Sequence, residues 1–254
     1  MFVNMVAANM GRWDMVDQPT RAVQDYLKAI HRLGGAERTV SPVELAARLE
    51  VRAASVTGML KRLAEGGWVE YQPGRGARLS PMGTTEARRV IRRHRLMELF
   101  LTRVLGLDWS EVDAEAEALE HSISPRLEQA IADYLGEPLE DPHGHPIPTR
   151  EGDLARRDLR PLHSFPAGQR LAIREVQDDH PERLRRWSEL GLLPGATVTI
   201  LRRHALDGTF EVQVGDHVIT LAAEGLAGLL GEAVTSPCDS PEPKTRNARK
   251  ATGR

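Results

Sequence analysis

Apolar residues recur at helical spacing early in the chain. In TRAVQDYLKAIHRLGG, Val23, Tyr26, Leu27, Ile30 and Leu33 form one stripe, which predicts an amphipathic helix from Thr20 that ends at Gly34. SPVELAARLE opens on a capping box, with Ser41 as N-cap, Pro42 in the first helical position and Glu44 reaching back. After the break VRAAS, SVTGMLKRLAEGG places Val56, Leu60 and Leu63 on one face and stops at Gly66 and Gly67. The pattern then changes. WVEYQPGRGARLS reads as two short strands around a Pro-Gly-Arg-Gly turn.

A long helix is expected from about Thr84 to Leu105, carrying RRVIRRHRLMELFL, and Ser110 is expected to cap the next one. SPRLEQAIADYLG predicts another, from Ser124 and Pro125 to Gly136. Leu96, Phe100, Leu101, Val104 and Leu119 offer more apolar surface than a helix pair needs, so part of it is expected to form a dimer interface. The stretch from 141 to 166 is rich in Pro, Gly and charge and reads as a linker. From 167 to 235, QRLAIREV, TVTILRRH and EVQVGDHVITL read as strands and PERLRRWSELGLLPG as a helix and turn, together a small β-barrel. Residues 236–254 are poor in apolar side chains and expected to be disordered, and residues 1–19 form an N-terminal tail.

Helix, short turn, helix and basic hairpin is the outline of a winged helix-turn-helix, whose second helix enters the major groove while the hairpin touches backbone. The outward residues of that helix are Ser55, Thr57, Gly58, Lys61 and Arg62, with Arg52 in the turn before it and Arg75 and Arg78 on the wing. Each is a candidate partner for phosphate or a base edge. A small helical domain with an ordinarily charged surface is the plainer alternative.

Charge supports the division. Residues 21–95 carry a net charge of +8 and residues 96–142 one of −10, within an overall −2. The basic part suits an anion such as nucleic acid, the acidic part cations or solvent. Hydrophobic content of 41% and charged content of 28% fit a globular protein. Cys238 is the one cysteine, which excludes a disulfide framework and a cysteine-based zinc site and suits the cytoplasm. No apolar run approaches the roughly 20 residues of a membrane span, and the first residues do not read as a signal peptide.

The candidate chemistry lies in EAEALEHS. Glu117, Glu120 and His121 stand at i, i+3 and i+4 on one helical face, with Glu115 pointing elsewhere. The face is either a salt-laced surface or the core of a metal site; the stretch alone leaves both open. His143 and His145 in HGH are alternate residues of a proline-rich loop, and such pairs seldom converge. A metal-dependent hydrolase is a rival reading, but the chain has no nucleophile motif, phosphate loop or His-Glu-x-x-His. A winged-helix regulator that senses something other than metal is another.

With RRHRLMELFL, EALEHSIS, DPHGHPIP and RWSELGLLPG in this order, the chain resembles the diphtheria toxin repressor family of metal-dependent transcriptional regulators from residue 20 to about 235. The resemblance implies a mainly α protein with small β parts: a winged helix-turn-helix domain (20–83), a helical metal-binding and dimerisation domain (84–140) and a C-terminal SH3-like β-barrel (167–235). It implies a homodimer on double-stranded operator DNA, with a divalent metal as corepressor. Glu117, Glu120 and His121 match the primary-site triplet, and Asp25 matches the fourth ligand. His94 and Glu98 match two ancillary-site ligands, Asp113 replaces a histidine there, and Glu175 and Asp178 fall where the SH3-like domain supplies a carboxylate and an amide. Carboxylates at 25 and 117, where iron-sensing members have methionine and cysteine, imply Mn²⁺, with Fe²⁺ the alternative. Short manganese regulators carry a further glutamate where this chain has Lys28, which puts a paired-metal arrangement in doubt.

Overall fold

A computed structural model describes residues 19–177 and 180–234. The chain divides into two units, one made essentially of the chain up to Arg157 and the other of the rest. The expected tails lie mostly outside the described residues.

The first unit begins with α1 (Arg21–Arg32), α2 (Pro42–Arg48) and α3 (Ala53–Glu65), followed by a hairpin of β1 (Val69–Gln72) and β2 (Gly76–Leu79). The predicted capping box forms: the Glu44 amide donates to the Ser41 hydroxyl at 3.2 Å, and the Ser41 amide to the Glu44 carboxylate at 2.8 Å. Helix α3 starts two residues before Ser55, with Arg52 as its N-cap residue. Leu27, Ile30, Leu45, Val56, Leu60, Leu63, Val69 and Leu79 meet in one core under the hairpin.

Helix α4 (Pro81–Arg103) starts three residues earlier than expected. Its signal is a Ser-Pro pair like those that open α2 and α6. The Ser80 hydroxyl accepts from the Gly83 amide at 3.0 Å and donates to the Gly67 carbonyl at 2.7 Å. Helices α5 (Val112–Leu119) and α6 (Pro125–Tyr134) follow. The expected cap of α5 is corrected: Glu111 holds the N-cap position, and Ser110 instead donates its amide and hydroxyl to Asp108. An aspartate two residues upstream captures the serine before it can reach the helix.

Leu96 and Leu101 also require correction, because both are buried inside this chain with Met97, Leu99, Val112, Ile131 and Ile147. Val104 and Leu119 stay exposed, as do Leu105, Leu127, Tyr134 and Leu139. The 141–166 stretch, expected as a linker, packs its Ile147 into that core and contributes β3 (Arg160–Pro161) to a sheet in the second unit.

That unit is an antiparallel six-stranded sheet in the order β3-β8-β4-β5-β6-β7. The expected strands appear as β4 (Arg170–Val176), β5 (Thr197–Arg203), β6 (Thr209–Val214) and β7 (His217–Ala222). β8 (Leu229–Ala233) and β3 were not foreseen, since their runs are short and broken by Gly231 and Pro161. Helix α7 (Pro181–Glu189) buries Trp187, whose indole donates to the Gly225 carbonyl at 2.8 Å. A four-residue helix, α8 (Ala223–Leu226), precedes β8.

Backbone hydrogen bonds also hold the wing, besides the core contacts of Val69 and Leu79. Val40 and Ala77 exchange amide–carbonyl hydrogen bonds at 2.8 and 2.9 Å. Beside them Gly76 has φ +132°, and a Cβ there would stand 2.1 Å from the Val40 carbonyl oxygen. Gly76→Ala is therefore expected to cost at least about 2 kcal/mol, through a strained backbone and a blocked approach. Gly74→Ala, at φ +79° with open space around it, should cost only about 1–2 kcal/mol. Urea midpoints of the two variants decide this; equal losses would mean that the Val40 contact does not constrain the wing.

Candidate metal centre

The primary-site residues come together. Ligand atoms of Asp25, Glu117, Glu120 and His121 lie within 4.8 Å of one another. Asp25 is on α1, Glu117 is in the last turn of α5, Glu120 is its C-cap residue, and His121 follows in the turn. The helix formally stops at Leu119, but Glu120 keeps helical angles (φ −55°, ψ −29°), so the i, i+3, i+4 alignment survives the helix end.

Two atoms bear on whether a cation fits. Asp25 Oδ1 and His121 Nε2 are buried, have no hydrogen-bond partner, and stand 2.8 Å apart. The His121 tautomer follows from a neighbour that sequence reading missed. Gln24 is buried and donates its amide to Glu86 at 3.0 Å, so its carbonyl oxygen faces His121 Nδ1 at 2.8 Å and accepts from it. In the neutral ring, Nε2 then carries the lone pair. An acceptor nitrogen facing a carboxylate oxygen leaves a place for a cation, and the donor set is all oxygen and imidazole. The residues fit a hard divalent ion. Burial raises the Asp25 pKa, opposed by His121 and Arg21 and reinforced by Glu117 and Glu120.

Lys28 complicates the picture. Its Nζ donates to Glu117 at 2.5 Å and faces both Glu120 oxygens at 2.7 Å, with His94 Nδ1 at 3.3 Å. Its side chain is 4% exposed, and that of Glu120 is fully buried.

His94, Glu98 and Asp113 form a second cluster, bringing together three of the five expected ancillary residues. His94 Nε2 stands 3.4 Å from Glu98 and 3.1 Å from Asp113, while Nδ1 stands 2.7 Å from Glu120. Burial works against charge on His94, but Glu98, Asp113 and Glu120 overcome it and push its pKa up to about 10. The Glu98 carboxyl is held well below its usual range by His94 and His143 against the cost of burial. Glu175 lies on β4 of the second unit, where Gln177 donates to it at 2.9 Å. Asp178 is outside the described residues.

The HGH reading is revised. Asp141, His143 and His145 present ligand atoms within 4.8 Å of one another. Asp141 Oδ1 accepts the amides of His143 and His145 at 2.8 and 2.9 Å, and this turn folds the alternate histidines back together. His143 also approaches Glu98 at 3.5 Å. The missed signal was the aspartate at the start of DPHGH. Gln24 and Lys28 likewise had a signal: with His31 they recur at i, i+4 and i+7, a polar stripe turned inward on α1.

Among the DNA-binding candidates, Arg52, Ser55, Lys61, Arg62, Arg75 and Arg78 are exposed on α3, its N-cap and the hairpin, and Gly58 opens to solvent. Thr57 is half-buried and donates its hydroxyl to the Ala53 carbonyl at 3.2 Å. Arg78 donates to the Ala36 carbonyl at 3.3 Å.

The family model for an iron dependent repressor N-terminal DNA binding domain matches residues 19–77, that for its metal binding and dimerisation domain residues 80–149, and that for a FeoA domain residues 160–228. The chain is 32% identical to the iron-dependent repressor IdeR of Mycobacterium leprae, over 74% of this chain and 85% of that one. It is 32% identical to the diphtheria toxin repressor of Corynebacterium efficiens, over 65% and 72%. Among solved structures, a manganese-dependent transcriptional repressor in complex with manganese matches with TM-score 0.77 and 32% identity, over 84% of this chain and all of that one. The IdeR of T. acidophilum matches with TM-score 0.68 and 26% identity, over 86% and 100%. No described helix is long and apolar enough to cross a membrane.

Because Gln24 fixes the lone pair that His121 presents, Gln24→Leu is expected to weaken divalent-metal binding by about 10–100-fold while keeping helix α1. Calorimetric titration with Mn²⁺ and the far-ultraviolet circular dichroism spectrum test both halves; unchanged affinity would remove Gln24 from the site.

Proposed function

Since the chain belongs to the iron-dependent repressor family, and is thus a metal-dependent transcriptional repressor, we propose that it responds to Mn²⁺ and binds operator DNA as a homodimer in the cytoplasm. The relatives are repressors rather than enzymes, so the hydrolase reading is set aside. The observation that carries the proposal is the four-residue cluster that joins Asp25 of α1 to Glu117, Glu120 and His121, with two buried atoms left without partners. A bound ion supplies the charge that ties these groups together. Asp25 lies on the helix that packs under the reading head and the other three at the end of α5, so holding one ion restrains α1 against α5. The stabilised arrangement can gain only the free energy by which it binds the ion better than the alternatives do.

Carboxylates at 25 and 117 support Mn²⁺, as does the likeness to a manganese-dependent repressor. The alternative is Fe²⁺, favoured by the IdeR relatives. His94, Glu98 and Asp113 would form an ancillary site; for Glu175 and Asp178 the support is the resemblance alone. Domain limits of 20–83, 84–140 and 167–235 go with this reading, with the stretch between the last two packed against its neighbours rather than free. The exposed Val104, Leu119 and Leu127 are available to a dimer interface.

Selection from random duplexes in Mn²⁺ should return a near-palindrome with half-sites about one helical turn apart. Binding to it should be lost with a chelator and in Glu120→Ala. DNA binding indifferent to the chelator would establish a different sensor, and restoration by Fe²⁺ but not Mn²⁺ would establish the iron alternative.

On that duplex, Arg75→Ala should weaken all sequences alike and lower the log–log salt slope by about 0.9 in magnitude. Ser55→Ala should instead alter sequence preference, at about 1–3 kcal/mol for a lost base contact. Titrations at several salt concentrations, with selected and scrambled duplexes, separate the two roles; the reverse pattern would exchange them. Arg52, Lys61, Arg62 and Arg78 are proposed as further contacts, and Thr57 as one made through its methyl group or hydroxyl lone pair.

A further inference from the structure

We propose that Lys28 is a resident competitor for the metal: its ammonium closes the α1–α5 junction while the primary cluster is empty, yields part of Glu117 and Glu120 when a divalent ion enters, and so sets the metal concentration at which the protein responds. This rests on the reading of Asp25, Glu117, Glu120 and His121 as the primary site.

The geometry leaves little room for any other role. An ammonium has three protons to donate, and Lys28 Nζ has three carboxylate oxygens to receive them, one of Glu117 at 2.5 Å and both of Glu120 at 2.7 Å. Neither Glu120 oxygen is unshared. Oε1 faces Lys28 at 2.7 Å and His121 Nε2 at 3.3 Å; Oε2 faces Lys28 at 2.7 Å and His94 at 2.7 Å. An ion that takes a Glu120 oxygen must share a carboxylate with an ammonium already in hydrogen-bond contact. Two cations on one buried carboxylate repel, and burial of Glu120 and Lys28 leaves that repulsion weakly screened. Part of the intrinsic affinity of the ligands is therefore spent on displacing or crowding Lys28.

The same contact stabilises the empty protein. Glu120 is fully buried, and a buried carboxylate without a counter-charge is costly. Lys28 supplies that charge from α1, the helix that also carries Asp25. Before metal arrives, α1 and α5 are thus already joined by an internal ion pair. Removing the ammonium raises the free energy of the empty state and removes repulsion from the loaded state. Both changes act in the same direction on metal affinity.

The test is Lys28→Met, a substitution that keeps length and removes charge. The full chain is titrated with Mn²⁺ by calorimetry, and its thermal midpoint is followed with and without saturating Mn²⁺. We expect a lower midpoint for the metal-free variant than for the parent, about tenfold or more tighter Mn²⁺ binding, and a larger rise in midpoint on loading. Equal or weaker binding by the variant, with normal binding by the parent, overturns the role of Lys28 and leaves the site reading intact. If the parent shows no saturable Mn²⁺ binding that His121→Ala abolishes, the site reading and this inference both fall.

A readout on the parent protein decides the matter if Lys28→Met does not fold. The chain has four lysines, at 28, 61, 244 and 250, so a ¹⁵N-lysine side-chain spectrum is simple. A buried, fully hydrogen-bonded ammonium should give one slowly exchanging Nζ signal in the metal-free protein. Addition of diamagnetic Cd²⁺ should shift or abolish it. A signal that persists unchanged through Cd²⁺ saturation would show that metal and ammonium do not compete.

Discussion

Glu120 is a carboxylate with no contact to solvent, and the first unit is arranged around the need to satisfy it. Isolated in an apolar interior it would not stay ionised. Lys28 from α1 and His94 from α4 supply the compensation, and their approach brings three helices to one point. The Glu120 pKa is lowered in consequence: burial pushes it up, but hydrogen bonding and attraction from His94 and Lys28 outweigh that. Of the three candidate metal clusters, the primary one contains this side chain and the His94 cluster borders it. A charge change in either is felt in the other through a shared residue, without any need for a longer path.

A second set of cations works on the backbone. Arg88, Arg92 and Arg95 stand at i, i+4 and i+7 on α4 and donate to the carbonyls of Gly152, Pro148 and Pro146 at 2.9, 2.9 and 2.5 Å. Prolines cannot offer an amide hydrogen, so the 146–152 stretch has few ways to satisfy its carbonyls within regular structure. Guanidinium groups with several donors each take that task. Arg92 is buried and also holds Glu128 and Glu137.

The regular elements were legible because their signals are local. Apolar spacing set α1 and α3, and Ser41-Pro42 and Ser124-Pro125 set the starts of α2 and α6. Gathering Glu117, Glu120 and His121 required only helical periodicity, whereas adding Asp25 came from family resemblance, since no spacing rule joins residues so far apart. What escaped was mostly polar burial. RRVIRRHR looks like a solvated charge run, yet Arg92 and His94 are buried because of partners 19 to 56 residues away. Gln24 and Lys28 look like the wet side of an amphipathic helix, and their partners likewise come from α4 and α5. Ser110 failed for the opposite reason: an aspartate two residues upstream offered it a nearer partner than the helix did.

The stitching of Val40 to Ala77, with the Leu79 amide also donating to the Gly35 carbonyl at 2.8 Å, has a mechanical result. The end of α1, the loop after it and the hairpin become one stiff piece. Asp25 sits near the opposite end of the same helix, about 14 Å from Gly34 at the helical rise per residue. The helix is then a lever held by charge at Asp25 and Lys28, with the wing at its far end. A small tilt imposed at the grip would reach the hairpin as a displacement set by arm length, through the backbone bonds that tie Gly35 and Val40 to β2.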